Sequence, residues 1–140
     1  MTRINSDIDP KQLMDQHLMA EYRELPMVLS SLRRSLRTQS EREILKKIPP
    51  RFTLNKGHVL FFYNKLTFLK DRYTRIVDEL LNRGYTLDQA RTLDLNNIPS
   101  TFFNNWTATA ADNAVLEQRI REKIAMKPSW YKYYGKPLNS

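Results

Sequence analysis

The sequence predicts an all-α protein, one compact domain built on three main helices. Three observations carry that prediction. Apolar residues recur at three- and four-residue steps in three separate stretches, helix-start signals accompany the first and last of them, and no stretch alternates convincingly as a strand. With 140 residues, 41% hydrophobic and 11% aromatic, the chain can bury one core, and residues 1–140 read as a single domain.

The first start is Asp9 followed by Pro10: a side-chain acceptor, then a proline where its missing N–H costs nothing. Gln12 stands three residues on, at capping-box spacing. Met14, Leu18, Leu25, Leu29, Leu32 and Leu36 then form one apolar stripe. Pro26 interrupts it, removing one hydrogen bond and crowding the carbonyl of Tyr22. The stripe resumes in phase, so the helix is read as kinked rather than ended.

Residues 38–57 carry Ser40, Glu41-Arg42-Glu43, Pro49-Pro50 and Gly57, and read as a connecting loop. A second helix is expected over 59–83, with Phe62, Leu66, Leu69, Tyr73, Ile76, Val77, Leu80 and Leu81 on its inner face. Arg83 and Gly84 supply a cation near the last carbonyls and a residue free to turn left-handed. Residues 87–93 are a short helical candidate, and irregular chain follows around Pro99 and Trp106. Thr109, with Asp112 three residues later, caps a third helix whose inner stripe is Leu116, Ile120 and Ile124. Pro128 stops it. The tail Trp130-Tyr131-Lys132-Tyr133-Tyr134-Gly135-Lys136 shows no clear period.

There are 23 Lys and Arg against 15 Asp and Glu, a formal charge of +8, which favours a polyanionic partner, either nucleic acid or an acidic membrane surface. The excess is uneven. Arg33, Arg34 and Arg37 crowd the end of the first helix, downstream of Arg23, while Arg119, Arg121, Lys123 and Lys127 lie on or just beyond the third. Residues 57–107 hold 6 basic and 5 acidic side chains. A phosphate-binding surface is therefore expected from the first and third helices.

Several chemistries lack their residues. Without cysteine there are no disulfides, thiol nucleophiles or cysteine-ligated metals. His17 and His58 have no second ligand at metal spacing, the 3 glycines form no phosphate loop, and no serine sits in a nucleophile elbow. No metal and no cofactor are expected. The N-terminus lacks a signal-peptide core and no run approaches the ~20 apolar residues of a membrane span. The chain is read as soluble and cytoplasmic, without a membrane partner.

The remaining nucleophile is the chain terminus. Initiator methionine is normally removed before a small residue, which would leave a free α-amine on Thr2. That amine has an ordinary pKa of ~7.7–8.0 against ~10.4 for lysine, so roughly a quarter to two fifths of it is neutral at pH 7.5. A neutral amine can attack a sugar carbon and form a Schiff base. Glu24, beside Arg23 at the turn disturbed by Pro26, is either an acid–base carboxylate or one half of an ion pair. The lysine-interleaved aromatic tail either stacks bases or packs on the domain as a flap.

Four segments, in order along the chain, resemble the phage endonuclease V type of pyrimidine-dimer DNA glycosylase and abasic-site lyase. They are Thr2-Arg3-Ile4-Asn5; the block Asp15-Gln16-His17-Leu18-Met19-Ala20-Glu21-Tyr22-Arg23-Glu24-Leu25-Pro26; Gly57-His58-Val59 with Phe61-Phe62-Tyr63 and Lys65-Leu66; and Glu122-Lys123-Ile124-Ala125 leading to the aromatic tail. The resemblance implies that the amine of Thr2 attacks C1′ under a damaged base, and that Glu24 assists imine chemistry and β-elimination. It implies DNA contacts from Arg3, Arg23, Arg119 and Lys123, with Gln16, His17 and Tyr22 lining the same region and Trp130 and Tyr131 in a dimer-reading tail. Arg34 joins this set from the charge cluster. It further implies an N-terminal segment packed near the active site, a monomer, and double-stranded DNA carrying pyrimidine dimers or abasic sites as partner, with the opposing adenine flipped out. One departure is Met27, where the family's best-known member has arginine; residues 6–14 and 38–56 also diverge.

Overall fold

The computed structural model describes residues 3–54, 56–87 and 93–137. Among these, the chain is mostly helical: α1 (Asp15–Leu36), α2 (Glu41–Lys47), α3 (His58–Phe61), α4 (Leu66–Asn82) and α5 (Ala110–Met126), then a two-stranded hairpin, β1 (Lys132–Tyr133) and β2 (Lys136–Pro137). The three long helices are those expected from periodicity, and α1 against α4 forms the centre of the fold. Leu18, Leu25, Val28 and Leu32 of α1 meet Leu66, Leu69, Tyr73, Ile76 and Leu80 of α4 in one core, which Leu116 and Ile120 of α5 join from the side. No helix among the described residues is long and apolar enough to cross a membrane.

Local chemistry corrects several expectations. Asp9 does cap, accepting from the Lys11 N–H at 3.0 Å, but it starts a single 3-10 turn, Pro10–Gln12. Leu13 and Met14 are extended, so α1 begins only at Asp15. Helix α1 continues through Pro26, as expected, rather than ending there. The stretch read as a loop contains α2, closed by a reciprocal capping box in which Ser40 accepts from Glu43 N–H at 3.2 Å and Glu43 accepts from Ser40 N–H at 3.1 Å. Its single fully buried side chain is Ile44, too few apolar positions to make a stripe.

The helix expected over 59–83 is two helices, separated by a 3-10 turn at Phe62–Asn64 and a break at Lys65 (φ −128°, ψ 41°). The Asn104 side chain donates to the Asn64 carbonyl at 2.8 Å, and the Asn104 carbonyl accepts from Phe68 N–H at 3.3 Å, so a distant loop supplies the capping that local sequence lacks. At the far end α4 closes as foreseen: Gly84 (φ +93°) donates to Leu81 and Tyr85 donates to Leu80, the pair of bonds of a Schellman motif. Thr109 and Asp112 form the expected box on α5. The helical candidate at 87–93 lies mostly outside the described residues.

Candidate active site

The N-terminal segment is placed by buried polar groups. Ile4 is fully buried and its N–H donates to His58 Nε2 at 2.9 Å, while His58 Nδ1 donates to the Thr53 carbonyl at 2.8 Å. That pattern requires the neutral ring with its proton on Nδ1. Burial lowers the His58 pKa, the Thr53 carbonyl opposing, in keeping with the neutral form. Asn5 donates to Glu21 at 2.8 Å. Glu21 also receives the fork of Arg72, whose remaining nitrogen donates to the Ile8 carbonyl at 2.9 Å. Glu21 and Arg72 are almost wholly buried, and their charges are compensated by each other and by these hydrogen bonds. Asp7 accepts from Ala108 N–H and from the Asn113 side chain, tying the same segment to α5.

This anchoring delivers Arg3 to Glu24. A cleft of about 170 Å³ opens there, lined by Arg3 and Asn5, by His17, Ala20 and Glu24 of α1, and by Leu116, Arg119, Ile120 and Lys123 of α5. Glu24 is partly buried, and desolvation raises its pKa above the usual carboxylate value, with the Arg3 and Lys123 charges and the backbone N–H of Arg3 pulling the other way. A carboxylate held between desolvation and neighbouring cations is suited to taking up and giving back a proton. Burial and the neighbouring Arg119 lower the Arg3 pKa, partly offset by Glu24. His17 is pushed down to about 4, by burial first and Lys123 second, so it is neutral at pH 7. Neither of its ring nitrogens has a hydrogen-bond partner among the described residues, and its ring stacks on Tyr131 at 4.7 Å.

The expected residues divide accordingly. Arg3, His17, Glu24, Arg119 and Lys123 share the cleft, and Tyr131 backs His17. Arg23 is exposed beside it, on a stripe with Met27, Arg34 and Arg37. Arg34 stands ten residues along the helix from Glu24, about 15 Å at 1.5 Å per residue. Gln16 lies at the tail, donating to the Trp130 carbonyl and accepting from Lys132 N–H. Tyr22 turns into the core, 3% exposed and stacked on Tyr73. Trp130 is 53% exposed, edge-on to Tyr131. Thr2 lies outside the described residues. Arg33, counted with the basic cluster, instead holds the 94–96 loop through the Asp94 and Asn96 carbonyls at 2.7 and 3.0 Å.

Sequence reasoning passed over His58, Asn5, Glu21 and Arg72, which position the segment; no spacing rule marks them, because the bonds that tie them to it and to each other span 16 to 64 residues. A larger open depression of about 500 Å³ lies between the Pro10 turn and α4, but its lining sets Asp9, Asp78 and Glu79 against Lys11 and Arg75 and so offers a polyanion no excess of positive charge.

A small helical protein with excess positive charge, holding the partly desolvated Glu24 carboxylate among cations in a cleft whose other carboxylate, Glu21, is paired with Arg72, is built for acid–base work on a polyanionic substrate. The family model described as pyrimidine dimer DNA glycosylase matches residues 1–93, and the chain belongs to that family, the one its sequence resembles. It is a DNA-repair enzyme, a glycosylase acting at pyrimidine dimers, and DNA is its substrate.

Proposed function

We propose that the enzyme is bifunctional, cleaving the glycosidic bond at ultraviolet-induced cyclobutane dimers and then nicking the abasic site through a Schiff base on the amine of Thr2. In this reading Met1 is removed and the neutral amine bonds to C1′. The glycosidic bond breaks, the base leaving with its electron pair. Opening of the C1′–O4′ bond gives an iminium ion, Glu24 takes a proton from C2′, and the C3′–O bond breaks to release a 5′-phosphate end. Water then hydrolyses the imine and frees the amine. No metal or cofactor takes part. Arg3, Arg23, Arg119 and Lys123 hold the kinked backbone, Arg34 extends the contact along α1, and Trp130 and Tyr131 offer aromatic surface at the rim. Gln16 and Tyr22 serve indirectly, one holding the tail and the other packing α1. The chain acts as a one-domain monomer in the cytoplasm.

The observation that supports the reading is that Arg3, the residue after Thr2, lines the same cleft as Glu24. Thr2 is bonded directly to Arg3, and consecutive Cα atoms are ~3.8 Å apart, which favours the terminus over any lysine as the nucleophile of this cleft. Borohydride is expected to trap protein on dimer-containing and abasic-site duplexes, with mass spectrometry locating the adduct at Thr2. N-terminal acetylation is expected to abolish trapping. Glu24→Gln should bind DNA but lose strand cleavage by at least about a hundredfold, the usual weight of an acid–base group. Trapping that survives acetylation removes Thr2 from the mechanism; equal nicking of irradiated and unirradiated plasmid removes the dimer-directed step.

A further inference from the structure

The tail beyond the family-matched residues is strapped to the body by an unusual density of polar contacts. Its turn is Tyr134–Gly135, with φ of +52° and +79°, two consecutive left-handed residues between β1 and β2. That is the two-residue hairpin geometry that normally calls for Asn-Gly, and tyrosine there is strained. The strain is held by Asp15, the buried first residue of α1. Its carboxylate accepts from Tyr134 N–H at 3.1 Å, from Gly135 N–H at 2.8 Å and from Arg83 at 2.8 Å. Arg83 in turn binds Glu79 at 2.8 Å and lies 4.7 Å from the centres of both the Tyr133 and Tyr134 rings. Tyr134 Oη donates to Glu79 at 2.7 Å and Tyr133 Oη to the Lys11 carbonyl at 2.6 Å.

This knot fixes the chain three residues after Tyr131, the ring that stacks on His17 in the cleft wall, and four after the exposed Trp130. We infer that Asp15 and Arg83 are positioning residues that hold the Trp130–Tyr131 aromatic wall in register beside the Glu24 cleft for a base-bearing substrate. An abasic sugar presents no base to a ring, so the wall matters for the dimer and little for the lyase step. The inference rests on the function proposed above for the cleft.

Asp15→Asn puts an amide NH₂ where N–H donors converge and removes one counter-charge from Arg83. It is expected to raise KM for a single-dimer duplex roughly tenfold, the scale of one lost base–aromatic stack. kcat on an abasic-site duplex should stay within about twofold. Without DNA, iodide quenching of Trp130 fluorescence should rise, with Trp106, half-buried in the aromatic core, as the unchanged background. Should Asp15→Asn fail to fold, the double variant Tyr133→Phe/Tyr134→Phe, which removes two hydroxyls from exposed rings, is expected to move quenching and dimer KM in the same direction by about two- to threefold. Unchanged quenching, or equal losses on both substrates with a lowered Tm, overturns the positioning role. Absence of dimer activity in the unmodified protein would instead defeat the parent reading, while the quenching result would still report on the strap.

Discussion

The most consequential single side chain outside the cleft is His58. Its ring joins the Thr53 carbonyl to the Ile4 N–H, two residues from the proposed nucleophile, and it tolerates only one protonation state. His58→Ala leaves a buried N–H without an acceptor and is expected to destabilise the protein by about 1–3 kcal/mol. Cleavage should fall more than DNA binding, because the N-terminal segment is loosened while the exposed cations remain. The same ring predicts an acid limb of stability. Burial holds its folded-state pKa below the ordinary 6.5, so the unfolded chain binds the proton more readily. The stabilisation is complete above pH ~6.5 and is lost as pH falls from there toward the folded value. His17, lowered to about 4, adds in the same direction as pH falls from about 6.5 to about 4. Tm measured against pH should therefore drop below pH 6.5 in the wild type, and less steeply in His58→Ala, which keeps only the His17 share. An identical slope in the two proteins would assign the acid limb to other groups.

At the scale of elements, the clearest test is the proline inside α1. An alanine there restores an N–H opposite the Tyr22 carbonyl, and Pro26→Ala is expected to stabilise the fold by roughly 1–3 kcal/mol in chemical denaturation, the helix-interior cost of proline less its unfolded-state benefit. No change would mean that the helix has already bent to absorb it. Pro26 also illustrates what local sequence can say. The long helices were legible because their stripes are long: α1, α4 and α5 each repeat an apolar position over several turns, and Thr109 and Gly84 mark ends by local bonds. What escaped was decided elsewhere in the chain. The break at Lys65 depends on Asn104, forty residues on, and Tyr134 enters a turn that tyrosine disfavours because Asp15 waits for its N–H. Helix α2 was announced by Ser40 and Glu43 but had too little apolar surface to be counted. The cleft shows the same division: Glu24, Arg119 and Lys123 stood out as charges, whereas the burial of Tyr22 and the capture of Gln16 by the tail follow from tertiary packing alone.

For the whole molecule, the relevant quantity is how its formal charge of +8 is displayed. Arg72 and Arg83 are spent inside, on Glu21, Glu79 and Asp15, and Arg33 is committed to the 94–96 loop. Among the described cations that face outward are Arg23 and Arg34 on α1 with Arg37 at its end, and Arg121 and Lys123 on α5 with Lys127 at its end, all exposed. Each phosphate neutralised releases condensed counterions, so the affinity for duplex DNA should fall linearly on a log–log plot against salt, with a slope of about −0.9 per phosphate contact. Met27 is 52% exposed on the same α1 stripe, between Arg23 and Arg34. Met27→Arg is therefore expected to steepen the slope by about 0.9, and Arg34→Ala to flatten it by the same amount. Arg33→Ala should leave the slope alone while lowering Tm, since its charge already serves Asp94. Binding measured by fluorescence anisotropy between about 50 and 200 mM salt separates these outcomes. If Met27→Arg left the slope unchanged while Arg33→Ala reduced it, the duplex would have to lie along the 94–96 loop and away from the exposed stripe of α1.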